Sequence, residues 1–377
     1  MRARCTATCL LILFTYISYS QNDDKAKNKL SWLNNFSLNY YLDCYYTYDL
    51  GVNYIYADKN VNSRPFASTS PFANQFRINK TYLLLSFDYD RYRARFGIQY
   101  GDIPLLLAPT EKFLIKNIKQ ATFGINLNEN WWLDIGYLPN PMGVETSEQT
   151  NLLISNSIGG YGQPGNLIGV RASFNPSEKF SAGIMIFNGY NLVTTTDDTK
   201  SLGMNISYRP NNNTSINYLA QVNAPNDFTG PTKTYCYNNF FITLNFLKRC
   251  TLLVQYDVAF QSNALIPKND TIAVNKTANG MSGMVQLNIK LAKKLSLGGR
   301  IEFISDPSQI IMQGVFESSP GLIGLGDAIG ISYSPFEKTY FRAEYSYLAL
   351  NQPLIYYNTS LTYAYRNNIS VAFGVHF

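Results

Sequence analysis

Three pairs of charged residues stand two positions apart inside otherwise apolar stretches: Arg93 and Arg95, Arg300 and Glu302, Arg342 and Glu344. At that spacing both side chains of a pair leave the same face of an extended strand. Guanidinium and carboxylate groups gathered on such a face attract ions and orient water, whereas bond-making requires a nucleophile within reach of a base. That base is missing. The chain has one histidine, His376, next to its last residue, so Ser–His catalysis and histidine metal motifs lack their imidazole. Paired carboxylates for acid catalysis are present by type, yet Asp43, Asp88 and Asp134 fall in no recognisable motif. Cys5 and Cys9 lie before and inside the N-terminal apolar run, and Cys44, Cys236 and Cys250 have no regular spacing, which gives neither a disulfide framework nor a metal site. No enzyme activity and no cofactor is expected.

The elements that must position these charges have a period of two. FSLNYYLDCYYTY (36–48) sets Phe36, Leu38, Tyr40, Leu42, Cys44, Tyr46 and Tyr48 on one face and Ser37, Asn39, Asp43 and Thr47 on the other. The same alternation returns at 81–89, 91–100, 121–127, 131–138, 167–174, 180–187, 201–208, 215–222, 239–246, 251–260, 281–291, 295–303, 326–333, 339–347 and 369–377, sixteen segments in all. Very short connections, among them Asp90-Arg91, 128–130, 247–249 and 292–294, alternate with long polar ones at about 49–78, 101–116, 139–166, 189–200, 223–236, 261–280, 305–324 and 348–368. Short turns on one rim and long loops on the other are the pattern of a transmembrane β-barrel, and the strand lengths suit a tilted crossing of roughly 9–11 residues. A soluble β-sandwich has no reason to sort its loops this way. Aromatic residues beside the short turns, Tyr89, Tyr92, Trp131, Phe174, Phe180, Tyr208, Phe246, Tyr333 and Phe341, form the expected interfacial girdle. The stretch 355–365 reads either as a seventeenth strand or as an outer hairpin-like extension of the last strand. The extension is expected, because an odd count leaves an unpaired edge in lipid.

By phase the inward set comprises Asp43, Asp88, Arg93, Arg95, Asp134, Arg171, Asp257, Arg300, Glu302, Arg342 and Glu344. An Arg or Lys turned to lipid near the midplane costs about 2–4 kcal/mol, so this common phase supports the strand assignment. These residues either set the ion preference of a water-filled lumen or are wall residues paired across strands. Five arginines against six carboxylates predict no strong selectivity. The connection 139–166 opens with Pro139 and Pro141 and carries Glu145 and Glu148 but no basic residue. It is the candidate constriction loop if it folds inward, and an ordinary outer loop otherwise.

Composition agrees with this reading. Of 377 residues 29 are Tyr and 23 Phe, only 15% are charged, and the mean hydropathy of −0.14 is too polar for a helical membrane protein. The net charge of +6 includes Arg2 and Arg4 and gives no case for nucleic-acid binding. Residues 1–20 read as an export signal: Arg2 and Arg4, the apolar CLLILFTYI, then Ser18-Tyr19-Ser20 before Gln21. Residues 21–31 are a short polar lead and 32–377 the barrel.

The stretch WWLDIGYLPNPMGVET, with Leu133, Asp134, Gly136, Pro139, Gly143 and Glu145, resembles the characteristic segment of the OmpL-like β-barrel porins of Gram-negative outer membranes. LLISNS (152–157), Gly169-Val170 and Asn188-Gly189 extend the resemblance over nearly the whole chain after the export signal. The sequence departs from the family pattern at Tyr190, where Trp is frequent, and at Asn140 and Pro141, where serine and histidine are usual. The resemblance implies an outer-membrane porin whose substrates are largely unassigned. With the sixteen segments, the expected protein is an all-β, antiparallel up-and-down barrel of sixteen strands, a channel for passive diffusion of small hydrophilic solutes, monomer or homotrimer, in contact with lipid. Phe377 is similar to the terminal aromatic read by the outer-membrane barrel assembly machinery. The rival is a plugged or substrate-specific barrel acting in binding or adhesion through its long loops.

Overall fold

The computed structural model describes residues 31–50, 67–107, 113–141, 143–145, 151–161, 163, 166–189, 200–223, 234–269, 272–311, 321–355 and 362–377. A 3-10 turn, Ser31–Asn35, leads into sixteen antiparallel strands. These are β1 (Phe36–Asp49), β2 (Phe76–Tyr89), β3 (Tyr92–Tyr100), β4 (Ile118–Asn128), β5 (Trp131–Pro139), β6 (Asn166–Ser177), β7 (Phe180–Phe187), β8 (Ser201–Asn211), β9 (Thr214–Asn223), β10 (Tyr235–Phe246), β11 (Cys250–Asn269), β12 (Ile272–Ala292), β13 (Leu295–Asp306), β14 (Leu322–Tyr333), β15 (Thr339–Ile355) and β16 (Thr362–His376). Each strand pairs with its chain neighbours and β1 pairs with β16, so the sheet closes. Closure leaves no ladder edge without a partner, the condition for crossing lipid with strands.

Alternating side chains produce the two faces. On β14 every second residue is buried, and Leu325 and Ile329 on the other phase are more than half exposed, as a lipid-facing wall requires. Asp327 is an exception to the phase of the charges: its register between Ile301 and Tyr347 turns it outward. At the short-turn rim, aromatic residues pair across strands as Tyr89↔Tyr92, Trp131↔Phe174, Phe180↔Tyr208 and Tyr333↔Phe341. This is the girdle expected from the sequence. Asp90, Leu247 and Lys248 adopt positive φ in two of these turns, the conformation that lets a tight hairpin follow the twist of its strands.

In two places the long connections differ from expectation, and in a third they follow it. The predicted loop 261–280 is mostly ladder, since β11 and β12 continue as a hairpin to Asn269 and Ile272. The alternating, β-branched TIAVNKT favours pairing there. Around the ambiguous 355–365, β15 runs out to Ile355 and β16 begins at Thr362, with Leu354↔Tyr363 and Ile355↔Thr362 paired, and the described residues form an even number of strands. The connection after β3 carries two short helices, α1 (Asp102–Leu107) and α2 (Phe113–Lys116).

A larger correction concerns the lumen. The residues read as inward from the sequence are all charged or polar. In the structure Met185, Phe187, Leu219, Tyr237, Ile304 and Leu348 also point inward on strands from β7 to β15 and cluster with Ile158, Ile310 and Ile311 from two connections. Segments that fold into the barrel need an apolar bed, and these wall residues supply it.

Candidate channel constriction

The connection after β5 turns into the lumen. Gly143 has φ +79, and a Cβ there would run into the side-chain amide of Gln163, so this corner accepts only glycine. Further along, Leu152 and Leu153 press on the wall where Gly298 leaves space, a Cβ at that glycine falling 2.5 Å from Leu152 Cδ2. The helical turn α3 (Ile158–Tyr161) lies against β12 and β13, with Gly159 over Ser282.

A backbone folded away from its sheet must find partners elsewhere. Here carboxylates supply them. Glu344 accepts the N–H groups of Ile154 (2.5 Å) and Ser155 (3.1 Å), and Glu302 accepts that of Ile158 (2.6 Å). Glu145, from the loop itself, accepts the N–H (2.9 Å) and hydroxyl (2.6 Å) of Ser157. Arg300 serves the carbonyl side, donating to Ser155 O (2.6 Å) and Asn156 O (3.1 Å) and to Glu145 (3.1 Å). Burial pushes the Glu145 carboxyl above its ordinary range, against the opposing pull of Arg300 and the hydrogen bonds from Ser157.

A second anchor lies at the start of the loop. Asp257 accepts hydrogen bonds from Tyr237 Oη (2.9 Å), Asn239 Nδ2 (2.6 Å), Gln255 Nε2 (2.9 Å), Ser282 Oγ (3.2 Å) and Gln163 Nε2 (3.4 Å). This fixes the two wall amides so that their oxygens face the loop. Asn239 Oδ1 then accepts the N–H of Gly143 (3.0 Å) and Gln255 Oε1 that of Val144 (2.9 Å). On the β1–β2 side the segment 67–74 also packs inward: Thr69 Oγ1 accepts the Asn156 N–H (3.1 Å), and Asn79 bridges the Ser70 N–H and Asp43. Tyr340 donates to Asp43 (3.0 Å) with the Arg342 guanidinium stacked on its ring at 3.6 Å.

On β2, β3, β5 and β6 the inward charges are less covered. Arg93 makes two bonds to Asp134 (2.7 and 2.5 Å) and lies over the Trp132 ring, while Arg171 approaches the same carboxylate at 3.6 Å. Arg95 binds both oxygens of Asp88 (2.7 and 2.8 Å). Roughly a quarter of each of these three arginine side chains is solvent-exposed.

The eleven wall residues expected inside thus divide. Asp88, Arg93, Arg95, Asp134 and Arg171 form one cluster on β2, β3, β5 and β6. Asp43, Asp257, Arg300, Glu302, Arg342 and Glu344 form the bed on which inward segments lie, each less than 9% exposed. The expectation that this second group lines water is corrected by that burial. Glu145 is in the docked loop, and Glu148 lies outside the described residues. Phe377 closes the seam, exchanging backbone hydrogen bonds with Tyr40. Asn239 and Gln255 were missed by sequence reasoning, although their inward phase beside Asp257 was the available signal. Asp102, which binds Arg77 and Tyr45, was also missed.

Among known proteins, the model of the family described as "Putative beta-barrel porin-2, OmpL-like" matches residues 13–377. No curated protein matches. Solved structures share the fold at low identity. OmpF of Salmonella typhi, in complex with daunomycin, superposes with TM-score 0.58 at 10% identity over 91% of this chain and 97% of that one. The outer membrane channel DcaP of Acinetobacter baumannii gives 0.56 at 12% identity over 91% and 97%. OmpT of Vibrio cholerae, in its trimer form, gives 0.56 at 8% over 91% and 99%. With its closed sixteen-stranded barrel, its lipid-facing wall and a family match over nearly its whole length, the chain belongs to the OmpL-like β-barrel porins of the outer membrane.

Proposed function

We propose that this porin passes small hydrophilic solutes by passive diffusion through a lumen narrowed by the docked residues 143–145 and 151–161. The observation that carries this reading is the division of the inward charges, one group buried against the loop and the other, on β2, β3, β5 and β6, keeping three arginines about a quarter exposed. No bond is made or broken: the residues hold a constriction and shape its field. Residues 1–20 direct export, Phe377 is the assembly signal, and the barrel works as a monomer or a homotrimer.

A second reading is favoured by one observation. The apolar cluster around Ile158, Phe187 and Ile311 fills part of the lumen, as in a barrel that binds a ligand and admits no general flow. Planar-bilayer recording of the refolded protein separates the two. Stepwise openings in simple salt are expected, and a folded barrel that does not conduct would establish the plugged reading.

A further inference from the structure

Counted along the sequence, the inward charges balance. A permeating ion, however, meets only those that water also meets, and burial removes more acids than bases: Arg300 and Arg342 are covered too, but so are all the inward carboxylates except Asp88. Glu302, Glu344 and Glu145 are occupied by loop N–H groups and Arg300, and Asp257 by five side-chain donors. Asp43 is held by Asn79 and Tyr340, and Asp134 lies beneath Arg93 and Arg171. Each of these carboxylates is at most 7% exposed. Asp88 alone of the expected inward carboxylates faces water, and both its oxygens are bound by Arg95.

The cations are distributed otherwise. Arg93 and Arg171 share the single carboxylate of Asp134, which leaves one positive charge in excess where a quarter of each guanidinium is open. Toward the short-turn rim Arg209 and Lys290 are exposed on the inward phase, and Lys248 and Arg249 stand beside Lys290 around one hollow. A hydrated anion entering from either side can exchange part of its water shell for guanidinium or ammonium N–H donors. A cation finds the inward carboxylates of the strands already taken, and at the rim Glu178 shares its hollow with Lys179 and Arg209.

Resting on the channel reading above, we infer that the passage is selective for small anions, carboxylates and phosphates among them, and that Arg171 supplies the decisive charge. The preference arises from how the acids are used and not from how many there are.

The test is reversal potential across a potassium chloride gradient. Wild type is expected to pass chloride over potassium by roughly threefold or more, the direction that unpaired basic charge imposes on a narrow water-filled path. Arg171→Gln keeps the Arg93–Asp134 pair and removes only the excess charge, so the ratio should fall toward unity with conductance retained. Asp327→Asn, on the outward phase of β14, should leave the ratio close to wild type. Potassium preference, equal permeability in wild type, or a preference untouched by Arg171→Gln would each overturn the inference while the channel reading stands. An absence of conductance overturns the channel reading and this inference with it.

Discussion

Asp257 holds the constriction mainly through intermediaries. Its carboxylate accepts the amide hydrogens of Asn239 and Gln255, and their oxygens in turn receive the loop N–H groups at Gly143 and Val144. Asp257→Asn is nearly isosteric but turns a hydrogen-bond donor toward other donors. An unsatisfied buried donor costs about 1–3 kcal/mol. The expected result is a loss of exchange protection at the Gly143 and Val144 amides by that amount, with strand amides unchanged. Glu145 adds a dependence on pH. Its carboxyl is raised by burial when the loop is docked, so the docked state binds the proton more readily than the undocked one. This contribution is complete below the ordinary carboxyl pKa and is lost as pH rises through the raised value. Hydrogen exchange of Ile154–Ile158, corrected for intrinsic rates, should therefore show stronger protection at pH 5 than at pH 8. Protection that weakens on acidification would contradict the assignment.

The strands were legible in the sequence because a half-lipid, half-lumen wall imposes strict alternation, and all sixteen segments recur as β1–β16. The inward phase of the charged residues was legible for the same reason. Their use was not. Nothing in the spacing of Glu302 or Glu344 tells whether the neighbour is water or the backbone of a loop more than 140 residues away in sequence. The apolar inward residues were hidden in another way. Met185 and Phe187 share the phase of Ser181 and Gly183, but only a segment folded inside the barrel gives such residues a partner. The β11–β12 extension was obscured because its residues are polar enough to resemble a loop, and ladder pairing outside the membrane does not demand apolar faces.

At the scale of the molecule, closure depends on the seam of β15, β16 and β1. Tyr340 reaches across it to Tyr41 (2.7 Å) and Asp43 (3.0 Å), and its ring occupies the place a Cβ would take at Gly374. Gly374→Leu displaces that ring and separates the two hydroxyl contacts. Rearranging a buried aromatic in this way costs about 1–3 kcal/mol, the usual range for overpacking. The variant is expected to yield less of the compact, heat-modifiable band on unheated gels than wild type. Equal yields would show that the seam does not limit closure. The family resemblance read from residues 131–146 gave the barrel and its membrane. The lining of the passage required the three-dimensional arrangement, because it depends on which charges the loops cover.

The narrowed passage depends on the loop lying inside the lumen, and a disulfide can fix it there. A Cβ at Gly159 would stand 3.1 Å from that of Ser282 on β12, close enough that a small shift permits a disulfide. In a background with Cys44, Cys236 and Cys250 changed to serine, the pair Gly159→Cys and Ser282→Cys should cross-link on mild oxidation in the folded barrel. The product would be a loop-closed species with altered gel mobility that reduction reverses. A folded barrel whose two thiols stay unlinked and react separately with a soluble maleimide would place the loop outside and contradict the account.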